Sequence, residues 1–300
     1  MIILVTGSTG FIGSALVRFL TAGGHSVRKL VRSEPTGEAE FHWQPESESI
    51  DMEGLEGVDA VVHLAGENIA AGRWTPAKKA RILDSRVKGT RLLCESLAQL
   101  AAPPKVLVCS SGIGYYGARV EGVANEQSPL GDGFLADVCY QWEEATAPAA
   151  EQGIRVVNLR TGIVLDPAGG TLERMLPPFK MGVGGKLGNG RQYISWLTLD
   201  DLLEIIHHAL VTEQLQGPVN AVTPEPVTNI EFTKMLGRVL GRPTIFPMPT
   251  FAVHLIFGEM ADETLLASNR AEPAQLLESG YTFRYPELEG ALRYMLGKSS

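Results

Sequence analysis

An α/β fold is written into this chain: a Rossmann-type doubly wound parallel sheet with a smaller C-terminal lobe for a substrate. Apolar strand-like runs at residues 2–5, 27–31, 60–64, 106–108 and 156–159 alternate with helical stretches at 11–22, 77–100 and 134–150. Strand and helix in alternation call for parallel pairing with right-handed crossovers, which places a ligand at the carboxyl ends of the strands. After residue 165 the texture changes. Asp166-Pro167-Ala168-Gly169-Gly170, then Pro177-Pro178, then the glycine-rich stretch 182–190 read as irregular segments and turns.

The first element pair carries the strongest signal. Ile2-Ile3-Leu4-Val5 runs into Thr6-Gly7-Ser8-Thr9-Gly10-Phe11-Ile12-Gly13, and Ala15, Leu16, Phe19 and Leu20 then recur at helical spacing. A buried strand, a glycine turn and a helix start leave unpaired N–H groups and the positive end of the helix dipole facing an anion. The pattern is GxxGxxG, a pyrophosphate cradle. Gly7 permits the turn, Gly10 admits the phosphates, and Gly13 lets the helix lie close to the strand.

At the tip of the second strand stand Val31, Arg32 and Ser33, with no carboxylate to take ribose hydroxyls. Arg32 can pair with a 2′-phosphate and Ser33 can donate to it, so the expected cofactor is NADP(H). The third strand run ends Leu64-Ala65-Gly66-Glu67-Asn68, small residues suited to a backbone passing over a dinucleotide. Later segments read as a helix at 199–211, a short strand at 219–222, a helix at 230–240, a proline-studded stretch, and short helices over the last fifty residues.

Composition narrows the function classes. With 44% hydrophobic and 20% charged residues the chain is an ordinary globular one, long enough to bury a large core. Its net charge is −8, and no basic run offsets that balance, which argues against a nucleic-acid partner. Cys94, Cys109 and Cys139 are odd in number and far apart, as in a reducing compartment. No apolar stretch reaches spanning length and a core strand opens the sequence, so a cytoplasmic protein without a membrane partner is expected. None of the six histidines has metal-site spacing, and no metal is expected. A homodimer is an allowed assembly.

Together these motifs resemble the extended short-chain dehydrogenase/reductase superfamily, the nucleotide-sugar epimerases and their relatives. The segments are TGSTGFIG, HLAG, SSGIGYYG at 110–117, NLRTGIVL at 158–165, and GNGRQ at 188–192 followed by WLTLDD. AGENI, SRVKGT and the C-terminal segment further resemble an atypical subgroup usually labelled epimerase-family or YfcH-like. The resemblance implies a domain over residues 1–165 that binds NADP(H), with parts of 190–225 returning to it, and a lobe formed mainly by 166–300. It assigns to the cofactor Gly7, Thr9, Gly10, Phe11, Ile12, Gly13, Val31, Arg32, Ser33, Leu64, Ala65, Gly66, Arg86 and Val164.

The departures bear on the reaction. The superfamily uses a Ser/Thr at a strand end and a Tyr-x-x-x-Lys on the next helix, the lysine lowering the phenol's pKa. Here Gly112 falls at the Ser/Thr position, Ser110 and Ser111 are adjacent, and the helix has no Tyr-x-x-x-Lys; its Tyr140 is followed four residues on by Glu144. Arg86 stands where an asparagine is usual and could replace the missing lysine. Ser111 and Tyr116 are the candidate catalytic residues, with Glu67, Asn68, Tyr115, Arg191 and Gln192 as further polar groups for a substrate. Asp200 and Asp201 are read as charges or caps at a helix start, and Trp196 as packing or the floor of a pocket. Two functions fit: an NADP(H)-dependent oxidoreductase or epimerase acting on a small carbonyl or sugar-like substrate, or a non-catalytic NADP(H)-binding sensor or regulatory protein.

Overall fold

The computed structural model describes residues 1–118 and 122–298. Its centre is an eight-stranded sheet. The strands are β1 (Ile2–Thr6), β2 (Ser26–Val31), β3 (Glu40–Gln44), β4 (Ser49–Ile50), β5 (Ala60–His63), β6 (Val106–Gly112), β7 (Arg155–Thr161) and, after three short strands of the smaller lobe, β11 (Gly217–Ala221). They lie in the order β11-β7-β6-β5-β1-β2-β3-β4, parallel except where β4 runs against β3. The Rossmann-type sheet read from the sequence is therefore present.

Strand side chains alternate between the two faces, so each strand feeds two cores. Ile3, Val5, Ala60, Val62, Val106, Val108, Val157 and Leu159 turn to one side, where α1 (Phe11–Ala22) and α6 (Leu199–Val211) cover them together with Leu276 and Phe283. Leu4, Val61, Leu107, Cys109 and Val156 turn to the other, against Leu93, Cys94 and Leu97 of α2 (Pro76–Ala98) and Trp142 of α3 (Phe134–Glu144).

A third core belongs to the smaller lobe. Two strand pairs build it: β8 (Ile163–Asp166) with β10 (Trp196–Thr198), and β9 (Tyr193–Ile194) with β12 (Val227–Thr228). α5 (Gly170–Lys180), α7 (Asn229–Leu240) and α10 (Leu288–Met295) pack there around Trp196 and Phe232. The remaining α-helices among the described residues are α4 (Ala147–Glu151), α8 (Thr250–Phe257) and α9 (Ala274–Glu278). Among the described residues no helix is long and apolar enough to cross a membrane.

Two expectations are corrected. The stretch 134–150 is not one helix. Pro148 has no N–H and its ring would meet the carbonyl of Glu144, so α3 stops at Glu144 and α4 restarts with Pro148 in its first turn. Conversely, Pro177-Pro178 lie inside α5 rather than in an irregular segment. Their missing N–H groups face the carbonyls of Glu173 and Arg174, which sit on the exposed side where water can serve them. Leu172, Leu176 and Phe179 meanwhile bury one face.

Candidate functional site

β1 delivers Thr6 to the carboxyl end of the sheet, and the chain turns at Gly7 with φ +67°, in the left-handed region. A Cβ on Gly7 would lie 2.8 Å from the carbonyl carbon of Leu64 and 2.9 Å from the Ala65 nitrogen. One on Gly13 would sit 2.1 Å from the Gly7 oxygen. Turn, helix and β5 exit are thus in mutual contact, and any larger residue at either position pushes them apart. The Gly10 N–H donates to the Gly7 oxygen at 3.0 Å, closing the turn. No side chain caps the start of α1 and no acidic residue occupies its first turn, so that end of the helix is electropositive and its N–H groups are free of side-chain acceptors. Ser8 Oγ is buried without a hydrogen-bond partner. These features fit the diphosphate of a dinucleotide.

The turn is buttressed from beneath. Thr6 Oγ1 accepts the N–H groups of Leu64 and Ala65 at 3.2 Å each and donates to His63 Nδ1 at 2.7 Å, while His63 Nε2 meets Thr90 Oγ1 at 3.0 Å. Burial pushes the His63 pKa from 6.5 down to about 4, consistent with a neutral ring that donates once and accepts once. The histidine of HLAG is therefore a core bracket joining β1, β5 and α2, and sequence reasoning had given it no role.

Val31 is buried at the end of β2, while Arg32 and Ser33 are exposed beyond it. Glu67, just past the half-buried Leu64 and Ala65 and the exposed Gly66, is held low by the Lys78 hydrogen bond (Nζ to Oε1, 2.5 Å) and then by the charges of Lys78, Arg81 and Arg32. Arg32 thus faces a carboxylate already shared with two other cations. Arg86 donates to the Glu67 and Ile82 carbonyls at 3.0 and 3.1 Å and stacks over Trp142 with 4.8 Å to the centroid. It braces the loop after β5 and lies between that loop and α3.

On α3, Tyr140 is exposed, as is Glu144. The inward positions four apart are Cys139 and Glu143 instead. Glu143 receives Ser111 Oγ at 2.7 Å and a bidentate pair from Arg160, Nε to Oε1 at 2.9 Å and Nη2 to Oε2 at 2.8 Å. Arg160 also donates to the Tyr116 hydroxyl at 3.1 Å and lies over the Tyr115 ring at 3.4 Å. The Tyr116 hydroxyl in turn donates to Asn220 Oδ1 at 2.7 Å, and burial pushes its pKa up to about 12. Ser111 and Tyr116 are brought together, but as two ends of a buried network centred on Glu143 and Arg160. Neither centre was singled out from sequence; the signal available was the arginine of NLRTGIVL opposite an acid on the inward face of the next helix.

The other expected residues separate. Phe11 packs its ring on the Gly169-Gly170 turn, where a Cβ on Gly169 would be 2.2 Å from it; Val164, half-buried on β8, precedes that turn. Thr9 and Gly10 are exposed at the cradle, and Ile12 packs against the core. Gln192 is buried and donates to the Leu187 and Leu265 carbonyls, and Asn68 closes its own turn on the Ala70 N–H, whereas Arg191 is exposed. Trp196 is fully buried with its N–H on the Glu225 carbonyl, so it does not floor a pocket. The Asp201 N–H is capped by Thr198, and the Asp201 carboxylate accepts the N–H groups of Arg284 and Tyr285 at 2.8 and 3.2 Å, tying the C-terminal segment to α6.

A parallel sheet whose first strand ends in a glycine turn against an uncapped helix start places the molecule among the Rossmann-type α/β proteins. Within that class the chain belongs to the NAD dependent epimerase/dehydratase family, whose sequence profile matches residues 3–221; residues 248–295 match a further profile described as a domain of unknown function, DUF1731. It is 45% identical over 293 residues to epimerase family protein MT2273 of Mycobacterium tuberculosis, covering 98% of this chain and 97% of that protein. Among solved structures it is similar to human epimerase family protein SDR39U1 (isoform 2) with NADPH, at a TM-score of 0.92 and 36% identity over all of both chains. It is also similar to a nucleoside-diphosphate sugar epimerase from Corynebacterium glutamicum, at a TM-score of 0.80 and 37% identity over 99% of this chain and 58% of that one.

Proposed function

We propose that this chain binds NADP(H) at the carboxyl end of its sheet and acts there as an oxidoreductase or epimerase on a small carbonyl or sugar-like substrate. The observation that carries the reading is the cradle: Gly7 and Gly13 leave no room for a Cβ, and the start of α1 has no side chain of its own to satisfy it. The likeness to SDR39U1 with NADPH supports the same cofactor. Three buried free thiols fit a reducing compartment, the cytoplasm.

The cradle and α1 would hold the diphosphate, Arg32 and Ser33 the 2′-phosphate, and Arg86 the nicotinamide ribose in place of the absent lysine. The bound cofactor supplies or accepts a hydride. The proton chemistry falls to the chain. Ser111 Oγ donates its one hydrogen to Glu143 here; to serve a carbonyl oxygen it would turn that hydrogen to the substrate, leaving the Glu143 carboxylate held by its two bonds from Arg160. Tyr116, already donating to Asn220 and engaged by Arg160, is a positioning residue that fixes the arginine.

The test is binding of NADPH and NADH followed by a carbonyl screen for NADPH oxidation. Ser111→Ala is expected to lower turnover by about a hundredfold, in the range of a lost general acid or oxyanion donor, whereas Tyr116→Phe retains most of it. Turnover indifferent to Ser111→Ala contradicts the assignment. A second reading has its own support: α3 presents Cys139 and Glu143 inward where a Tyr and Lys would be needed, which suits a non-catalytic NADP(H) sensor. Tight NADPH binding with no oxidation of any carbonyl or sugar nucleotide would favour it.

A further inference from the structure

A surface of the smaller lobe has the composition of a lipid contact. The loop after α5 runs alongside residues 245–248: the Met248 N–H donates to the Lys186 carbonyl and the Gly188 N–H to the Met248 carbonyl, both at 2.9 Å, and α8 follows directly. Met181, Ile245, Phe246, Phe251, Leu255 and Ile256 on these neighbouring segments are each more than half exposed, Phe251 reaching 74% and Leu255 71%. Large side chains that project this far from a folded domain mark an interaction face. Val253, fully buried, and Phe257, packed beside Trp74 and Met260, anchor the opposite side of α8, so the projecting face is held out by a fixed scaffold.

Charge selects the partner. Residues 180–191 and 242–258 contain Lys180, Lys186, Arg191 and Arg242 and no aspartate or glutamate, in a chain whose net charge is −8. Of the acids just beyond, Glu259 is paired with Lys79 at 2.6 Å, and Asp262 lies 3.5 Å from the His254 ring. A twofold contact between two copies would set this patch against itself and bring the four cations together with no acid in either segment to offset them. An anionic bilayer surface meets both features, taking the apolar side chains below its headgroups and the cations at their level.

We propose that α8 and the adjoining loops dock this protein on anionic membranes as a peripheral, non-spanning contact. This departs from the expectation of no membrane partner, which rested on the absence of a spanning segment. Arg73 donates to the Leu255 carbonyl, linking the docking helix to the loop that leaves β5, so the contact adjoins the candidate site.

The experiment is co-sedimentation of the full chain with phosphatidylcholine vesicles and with phosphatidylcholine/phosphatidylserine vesicles, alongside its oligomeric mass in solution. The wild-type chain is expected to sediment with the anionic vesicles at least about tenfold more than with the neutral ones and to lose that binding in high salt. Phe251→Ser/Leu255→Ser, confirmed folded by its melting transition, is expected to stay in the supernatant, and Lys180→Gln/Arg242→Gln to bind several-fold less. A chain that ignores anionic vesicles, binds both kinds equally, or sediments unchanged as the double serine variant overturns the proposal. So does a dimer that dissociates on Phe251→Ser/Leu255→Ser.

Discussion

One methyl group at residue 13 is enough to test the cradle, because its nearest neighbour would be the Gly7 carbonyl oxygen at 2.1 Å, a backbone atom with nowhere to go. Gly13→Ala is expected to cost about 1 to 3 kcal/mol in urea unfolding, the usual range for overpacking, and to weaken NADPH binding by more than its effect on stability explains. His63 makes a prediction of opposite character. The unfolded imidazole takes a proton near pH 6.5 and the buried one only near pH 4, so between those values the unfolded state binds more protons and acid favours unfolding. Stability is expected to fall by on the order of 3 kcal/mol as the pH drops through that window. The drop should shrink in His63→Asn; an unchanged pH profile in that variant would show that the bracket does not carry it.

At the scale of elements, six of the eight strands of the sheet were legible as apolar runs, and α1, α2, α6 and α7 because each pairs a periodic apolar face with a clear boundary: glycine after α1 and α7, threonine caps before α2, α6 and α7. What escaped was short or contrary to local rule. β3, with only Phe41 and Trp43 as apolar residues, is made a strand by its neighbour β2, and α5 tolerates two prolines because their unmatched carbonyls face water. The Asp201 carboxylate shows how tertiary contacts finish what the sequence starts. Its place at a helix start was readable, but its acceptance of the Arg284 and Tyr285 N–H groups depends on a segment some eighty residues away. Asp201→Ala is expected to destabilise the fold by about 2 to 4 kcal/mol and to open the chain near residue 284 to proteolysis. An intact C-terminal segment under limited proteolysis would count against that tie.

For the molecule as a whole, cofactor recognition could be read from the chain and the reaction could not, and the reason is physical. The cradle is local: strand, turn and helix are contiguous, so spacing alone encodes them. The centre at Glu143 and Arg160 draws on β6, α3 and β7 and is completed by Tyr116 and Asn220, residues whose partnership only the fold creates. Breaking it by Glu143→Gln would strand a buried guanidinium and is expected to cost about 3 to 5 kcal/mol, visible as a lowered melting temperature. NADPH, binding only the folded chain, is expected to raise that temperature with the logarithm of its concentration above the dissociation constant, and NADH at the same concentration to raise it less.

Recognition of NADP(H) through Arg32 is read by titrating NADPH and NADH into the wild-type chain and into Arg32→Ala. NADPH is expected to bind the wild type at least about tenfold more tightly than NADH, the worth of one charge-assisted phosphate contact, and the difference is expected to vanish in Arg32→Ala while NADH affinity is kept. Equal affinities in the wild type, or a preference for NADPH that survives the substitution, would contradict it.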